Sequence, residues 1–460
     1  LDLQAGDIHA LVGENGAGKS TLAAIAYGRV AADEGTIEAS GTVGLVHQHF
    51  KLIERLRVWE NVLLGREPRR GLAIDRERAR ALVRELAVVH GLTVDPDALI
   101  EDLPIGIRQR VELLRELVRQ PAILLLDEPT AALAPSEIDA FFTTIRKLAA
   151  SGTAVLIVTH KLAEVIAYSS RVTVMRAGKI VANFVTANTT TAEIARAMVG
   201  GELPALAQRA DVPHRPRLVV RDVSAGTGAG ALEHATFEVQ AGEIVGIAGI
   251  EGNGQTMLAD AIAGVIGYTG EIELDGEPLP PSLGPDERIE RGVRVIPQDR
   301  LNEALILDWT VRENAMLGRE RSAGMQRRGV IDRAAGEHHA RAIIERFDVR
   351  PPDPNIIVGM LSGGNQQKIV VGRALAGAPT LIVAYQPTRG VDIGAGTLVQ
   401  SRLIEARNAG AAVLLISFEL DEILTLADRV LVVSGGAFVG GFTRETIDRG
   451  RIGALMAGEA

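Results

Sequence analysis

The chain repeats itself at a nearly fixed spacing, and that duplication limits its fold more than any other feature. Leu103-Pro104-Ile105-Gly106 pairs with Leu361-Ser362-Gly363-Gly364, 258 residues on. Asp127-Glu128-Pro129-Thr130 pairs with Tyr385-Gln386-Pro387-Thr388, Thr159-His160 with Ser417-Phe418, and Met198 and Gly200 with Met456 and Gly458, all at the same offset. VWENVLLGRE at 58–67 echoes VRENAMLGRE at 311–320 with an offset of 253, so the second copy holds extra residues before its later motifs. A register kept this long requires two copies of one fold. In each copy, apolar strand runs alternate with helical stretches, which predicts an α/β fold with a mostly parallel sheet. The expected domains are 1–203 and 217–460, joined by a linker at 204–216 that carries Pro204, Pro213 and Pro216. Segments 54–102 and 301–360 are rich in charge and helix formers and read as inserted helical subdomains.

Each copy has an apolar strand running into a glycine loop, at 8–12 and at 244–248. Gly13-Glu14-Asn15-Gly16-Ala17-Gly18-Lys19-Ser20-Thr21 fits the phosphate-loop pattern G-x-x-x-x-G-K-[ST]. Its backbone N–H groups and the following helix, expected over 21–27, suit phosphate oxygens. Lys19 would neutralise the β and γ phosphates, and the Ser20 hydroxyl would ligate magnesium. The second copy reads Gly249-Ile250-Glu251-Gly252-Asn253-Gly254-Gln255-Thr256-Met257. Its glycines survive, but Gln255 stands where the lysine would be.

The apolar run 122–126 ends in Asp127 and Glu128. A carboxylate there can hold magnesium, and its neighbour can act as general base on water. His160 closes a second apolar strand, 154–158, and reads as a γ-phosphate contact. Gln48, in Val46-His47-Gln48-His49-Phe50, would reach magnesium and the attacking water. His47 and His49 form no metal site by sequence, since no third ligand is evident. Ser362, Gly363, Gly364 and Asn365 open a helical stretch without lysine or carboxylate and could stabilise charge shifting on a γ-phosphate.

Net charge is -9, which disfavours non-specific nucleic-acid binding. The absence of cysteine removes disulfides and thiol chemistry. No apolar run reaches the roughly 18–20 residues that span a bilayer, so any membrane spans belong to other subunits. The second copy has a strand-like lead-in at 218–240, whereas the first loop begins at Gly13. The first domain is thus expected to be about 25–30 residues short by comparison with its twin, through a misplaced gene start or truncation, leaving an unpaired sheet edge.

In this order, the motifs resemble the ATP-binding cassette family over essentially the whole chain. The LSGGN signature, the Asp-Glu pair, the Gln48 loop and the His160 switch carry the resemblance. The tandem form, with EGNGQ and QPTRGVD in the second copy, is similar to the ATP-binding subunits of bacterial simple-sugar and nucleoside importers. VHQHF and QRVELL look closer to the nucleoside branch. The resemblance implies two phosphate-loop NTPase cores with helical subdomains and antiparallel β elements. It implies ATP and Mg2+ as ligands, permease subunits as partners, an extracytoplasmic solute-binding protein as an indirect one, and a peripheral position on the cytoplasmic face of the membrane.

It also implies composite ATP sites, each joining one copy's phosphate loop to the other's signature. Site one takes Lys19, Ser20, Gln48, Asp127, Glu128 and His160 with Ser362–Asn365, and every element is intact. Site two takes Gly252, Gly254, Gln255, Thr256, Gln298, Tyr385, Gln386 and Phe418 with Pro104-Ile105-Gly106-Ile107, and has lost the lysine, both carboxylates, the histidine and the serine. Tyr385 and Phe418 read as core filling. One departure lies elsewhere: Ala134 stands where the family has an aspartate, kept as Asp392 in the second copy. The family's adenine-stacking aromatic lies upstream of the phosphate loop, where the first copy has no residues to supply it. The competing class, a soluble tandem cassette protein acting on ribosomes or DNA, usually brings a long basic linker, a coiled coil or zinc cysteines, whereas this chain has a short linker, no cysteine and acidic charge. An exporter ATPase fits the degenerate second copy less well.

Overall fold

A computed structural model describes the chain apart from Gln48, His49, Ala131, Ala132, Ala134, Leu203, Pro204, Ala229, Ala323, Arg328, Glu459 and Ala460; the side chains of Pro135, Ser136 and Arg327 are also not described. The chain forms two compact units, 1–203 and 204–460.

The first unit is built on a six-stranded sheet. In spatial order its strands are Val43–Val46, Ile123–Asp127, Ala154–Thr159, Ile8–Gly13, Arg171–Arg176 and Lys179–Val185. All neighbours pair in parallel except the last two. Both faces of the parallel strands are covered, so they are near-continuous apolar runs rather than alternating ones. Ile8–Gly13 and Ala154–Thr159 are buried at every residue.

The second unit repeats this sheet strand for strand: Val293–Ile296, Leu381–Tyr385, Ala412–Ser417, Ile244–Ala248, Arg429–Ser434 and Ala437–Thr443. Between phosphate loop and signature, each unit inserts a short helix and a fifteen-residue helix, Val58–Val62 with Arg76–His90 and Val311–Met316 with Arg333–Phe347. The sequence echo within these insertions has a structural cause. Asn61 and Asn314 are both buried, and each staples its preceding loop with the same bonds: Ile53 N–H and Ile306 N–H donate to their Oδ1 atoms at 2.8 and 2.9 Å. Their Nδ2 groups donate to the Ile53 and Ile306 carbonyls.

The expected unpaired edge is not found. The central sheet has the same six strands in both units, and in the second unit the 218–240 lead-in contributes to a separate antiparallel sheet of Leu232–Gln240, Pro216–Ala225, Tyr268–Leu274 and Glu277–Pro278. Among the described residues the first unit has no counterpart of it. The phosphate-loop helices of the two units differ in burial. In Gln255–Ala263, Leu258, Ala259, Ala261 and Ile262 are buried in a cluster with Val220, Val223, Leu232 and Ala235 of the extra sheet. In Lys19–Ala26 only Lys19 and Ala23 are buried, and Leu22 remains half-exposed.

Residues 205–215 form no helix or strand and pack on the second unit. Ala207 N–H donates to Ser401 Oγ, Arg209 pairs with Asp428, and Arg407 donates to the Ala210 carbonyl.

Candidate functional site

The first phosphate loop leaves the sheet at Gly13. A Cβ on Gly13 would lie 2.3 Å from the Met175 carbonyl oxygen, so only glycine fits. Gly16 and Gly18 have φ of 81° and 97°, the left-handed region open to glycine. Gly18 caps the helix, which therefore starts at Lys19, two residues before the expected start. Lys19 is buried, and its ammonium donates to the Gly13 carbonyl at 2.8 Å and the Glu14 carbonyl at 3.1 Å. Burial lowers its pKa, while Glu128, Asp127 and Glu14 act against that shift.

Asp127 ends its strand beside this helix. Burial raises its carboxyl pKa, a hydrogen bond with Ser20 opposes the rise, and Glu128 adds to it. Its Oδ1 is buried without a partner. An unsatisfied carboxylate oxygen beside a serine hydroxyl is a hard-oxygen donor pair, and it fits a divalent cation that takes its other ligands from phosphates and water. No group of three or more histidine, aspartate or glutamate side chains suited to a metal occurs among the described residues.

Glu128 is held in a left-handed conformation, φ 47°, and its N–H donates to the Val158 carbonyl at 2.8 Å. Strain of this kind in a non-glycine residue persists only where the surroundings impose it, and it gathers at functional sites. Its Oε1 lies 2.9 Å from His160 Nδ1. Burial would raise the Glu128 pKa, but the His160 hydrogen bond and the charges of His160, Lys19 and Lys161 hold it below the usual carboxylate range. Glu128 is thus ionised near neutrality and positioned to accept a proton. The structure brings Lys19, Ser20, Asp127, Glu128 and His160 to one end of the sheet. Gln48 lies outside the described residues.

The second unit keeps the backbone of this site and replaces its chemistry. Gly252 and Gly254 have φ of 93° and 94°. Gln386 repeats the strained conformation at φ 51°, and its N–H donates to the Ile416 carbonyl at 2.8 Å. Gln255 is buried and folds into its own loop: Nε2 donates to the Ile250 carbonyl at 3.0 Å, and Oε1 accepts from Asn253 N–H at 3.0 Å. Ile250 and Glu14 occupy matching positions, so the amide copies one of the two lysine contacts without its charge. Tyr385 takes the Asp127 position, and its hydroxyl lies 3.0 Å from Thr256 Oγ1. Its ring meets Phe418 edge-on, with centroids 6.0 Å apart. The tyrosine fills the core, as expected, and also replaces the carboxylate's link to the loop. Gln298 Nε2 donates to Glu251 Oε1 at 3.0 Å, which puts a carboxylate beside the loop where phosphate would bring negative charge.

Ser362 precedes the helix Gly363–Leu375 and is exposed. Its Oγ accepts from Asn365 Nδ2 at 3.0 Å, and Asn365 Oδ1 accepts from Arg350 N–H at 2.9 Å. The matching helix of the first unit, Ile105–Leu117, follows Pro104, which has no hydroxyl.

Sequence reading missed one link present in both units. Thr130 Oγ1 donates to Glu164, and Thr388 Oγ1 to Glu422, each at 2.7 Å. These bonds tie the loop after the carboxylate position to the helix after the histidine position. The only trace in the sequence is the shared Pro-Thr and a glutamate at the common offset of 258.

Comparison with known proteins places this geometry. The ABC transporter family model matches residues 1–131 and 232–389. The nucleoside import ATP-binding protein NupA of Lactococcus lactis is 40% identical over all of this chain and 94% of its own length. The guanosine import ATP-binding protein NupO of Bacillus subtilis is 38% identical, covering all of this chain and 93% of its own. A glucose import ATP-binding protein of Haloferax volcanii is 40% identical, covering all of this chain and 92% of its own. Among solved structures, an archaeal ribosome recycling factor crystallised with a ribosomal stalk protein matches with a TM-score of 0.70, covering 99% of this chain and 89% of that one; at 20% identity this likeness concerns the fold alone. No helix among the described residues is long and apolar enough to cross a membrane. The chain belongs to the ABC transporter family, as an ATP-binding, ATP-hydrolysing subunit with two cassettes in tandem.

Proposed function

We propose that this ATPase energises import of nucleosides or simple sugars, with one competent ATP site and one degenerate site per chain. The observation that carries the single-site reading is the Glu128–His160 pair beside Lys19 and Asp127, set against Gln386, Phe418, Gln255 and Tyr385 on the same backbone. In this reading, residues 13–21 hold the phosphates, and Lys19 exchanges its carbonyl partners for phosphate oxygens. Glu128 accepts the proton of the attacking water at a carboxylate oxygen, and His160 orients Glu128 and contacts the γ-phosphate. Ser362, Gly363, Gly364 and Asn365 complete the site from the second cassette. Ser20, Asp127 and Gln48 hold magnesium, which when bound neutralises charge on the β and γ oxygens. Without a base at Gln386, a cation at Gln255 or a carboxylate at Tyr385, the second site lacks the groups that hydrolysis needs.

Permease subunits are the partners, docked near the Gln48 loop and the helical insertions on the cytoplasmic face of the membrane, with an external solute-binding protein acting indirectly. The VHQHF and QRVELL segments and the NupA and NupO relatives favour a nucleoside over ribose. The test is uptake of labelled nucleosides and labelled ribose in cells with and without the gene. Loss of nucleoside uptake alone supports the reading. Loss of ribose uptake alone keeps the importer and overturns the solute. No loss of either moves weight to a soluble cassette protein.

A further inference from the structure

The competent signature, Ser362-Gly363-Gly364, is braced by a side chain that the motifs did not flag. Arg300 lies two residues beyond Gln298, just after the edge strand Val293–Ile296. Its Nη1 donates to the Arg389 carbonyl at 3.0 Å, and its Nε lies 3.4 Å from Gln366 Oε1. A Cβ on Gly363 would lie 2.5 Å from Arg300 Nη2, and one on Gly390 would lie 3.1 Å from Nη1. The guanidinium therefore sits between the first turn of the signature helix and the loop after Gln386, and Gly363 is small where it passes. A second bond closes the same seam: Gln367 Nε2 donates to the Pro387 carbonyl at 2.7 Å.

The first unit lacks this brace among its described residues. Its edge strand Val43–Val46 sets Phe50 at the position matching Arg300, Arg108 matches Gln366, and the Nε2 of Gln109, which matches Gln367, is buried without a partner. Arg108 turns back to the Leu103 and Glu101 carbonyls instead. The brace thus belongs to the unit whose signature is intact.

We propose that Arg300 is a positioning residue for ATP hydrolysis. It holds the Ser362–Gly364 loop in register with the Gln298 segment, so that movement of that segment reaches the signature. This rests on the reading above, in which the second unit's signature serves the first unit's phosphate loop. Arginine is required because one rigid fork must meet two acceptors while its Nη2 edge passes close to Gly363, which a lysine ammonium cannot do.

The test uses the purified full chain carrying Arg300→Ala, Arg300→Lys, Gly363→Ala or Ser362→Ala. Steady-state ATPase is normalised to the sites titrated with a fluorescent ATP analogue. The expected result for Arg300→Ala is a fall in kcat of about tenfold, since small misplacements of a positioned group cost one to two orders of magnitude. KM and analogue affinity stay within about twofold, because the phosphate loop lies in the other unit. Arg300→Lys recovers little of the loss. Gly363→Ala, which displaces the guanidinium, gives a loss that is not additive with Arg300→Ala. Normal kcat in Arg300→Ala with a tenfold loss in Ser362→Ala overturns the Arg300 role alone. Normal kcat in Ser362→Ala overturns the composite-site reading. A parallel loss of analogue affinity and kcat reduces Arg300 to a folding residue and overturns the proposal. If Arg300→Ala does not fold, Arg300→Lys and Gly363→Ala carry the same readout.

Discussion

The two nucleotide-loop regions share a backbone and differ in chemistry. Glu128 and Gln386 sit at φ of 47° and 51°, each bonded at 2.8 Å to the carbonyl of the neighbouring strand. Around the first are a lysine, an aspartate and a histidine; around the second are a glutamine, a tyrosine and a phenylalanine. Backbone strain of this type costs on the order of 1–3 kcal/mol, and the second unit retains it without a catalytic carboxylate to display. The comparison shows the same strained backbone held at matching strand ends beneath two different sets of side chains.

The largest way to break the comparison is to equalise the two positions. Glu128→Gln makes the first unit like the second and should lower kcat by about 10²–10⁴-fold, the usual worth of a general base. Gln386→Ala should change turnover by less than about twofold, within the range of a group that takes no part in the reaction. Steady-state phosphate release decides between them, and substantial residual hydrolysis in Glu128→Gln would sink the single-site reading.

The second test moves in the other direction. Lys19 is buried, but it has Glu128 and Asp127 to offset its charge. Gln255 is also buried, the positions matching Asp127 and Glu128 hold the neutral Tyr385 and Gln386, and Glu251 is bonded to Gln298. Gln255→Lys should therefore destabilise the second unit by about 3–5 kcal/mol, the cost of a buried charge without a partner. Adding Tyr385→Asp and Gln386→Glu should recover most of that. Denaturant midpoints for the single and triple variants provide the measurement, and an undiminished midpoint in Gln255→Lys would show that the lysine's partners are dispensable.

Much of this was legible in the sequence because it is local. A glycine loop after an apolar strand, two carboxylates at a strand end and a constant offset all survive without knowledge of what packs where. The pattern did not show what depends on distant partners. The lead-in at 218–240 reads as strand, but nothing in its alternation says that it forms a separate sheet, so the expectation of an unpaired edge in the central sheet failed. Gln255 reads as a lost lysine, and only the loop's closure shows its amide taking over one of the lysine's contacts. Arg300 is one arginine among many until Gly363 and the Arg389 carbonyl are brought against it. The threonine–glutamate link spans 34 residues in each unit, too far for any helical or strand period to flag.

That link supplies the smallest and sharpest contrast. Glu164 lies 3.6 Å from Lys161, whereas Glu422 has Glu419 at the matching position. Burial pushes the Glu422 carboxyl from an ordinary 4.5 up to about 7; the Thr388 hydrogen bond works against the rise, and Glu419 adds to it. The folded state therefore keeps this proton at pH values where the unfolded chain has released it. Its contribution is full below about 4.5 and is lost as pH rises through about 7. The gap corresponds to roughly 3.5 kcal/mol at most, at about 1.4 kcal/mol per pKa unit. Glu422→Gln, whose side-chain oxygen can still accept from Thr388, should remove this slope and leave the second unit less sensitive to pH between about 4.5 and 7. Hydrogen exchange of second-unit peptides across that range reads the opening free energy of this unit separately from the first. A slope unchanged by Glu422→Gln would mean that the carboxyl is ionised in the folded state despite its burial, with the Thr388 bond and its surroundings strong enough to hold the charge.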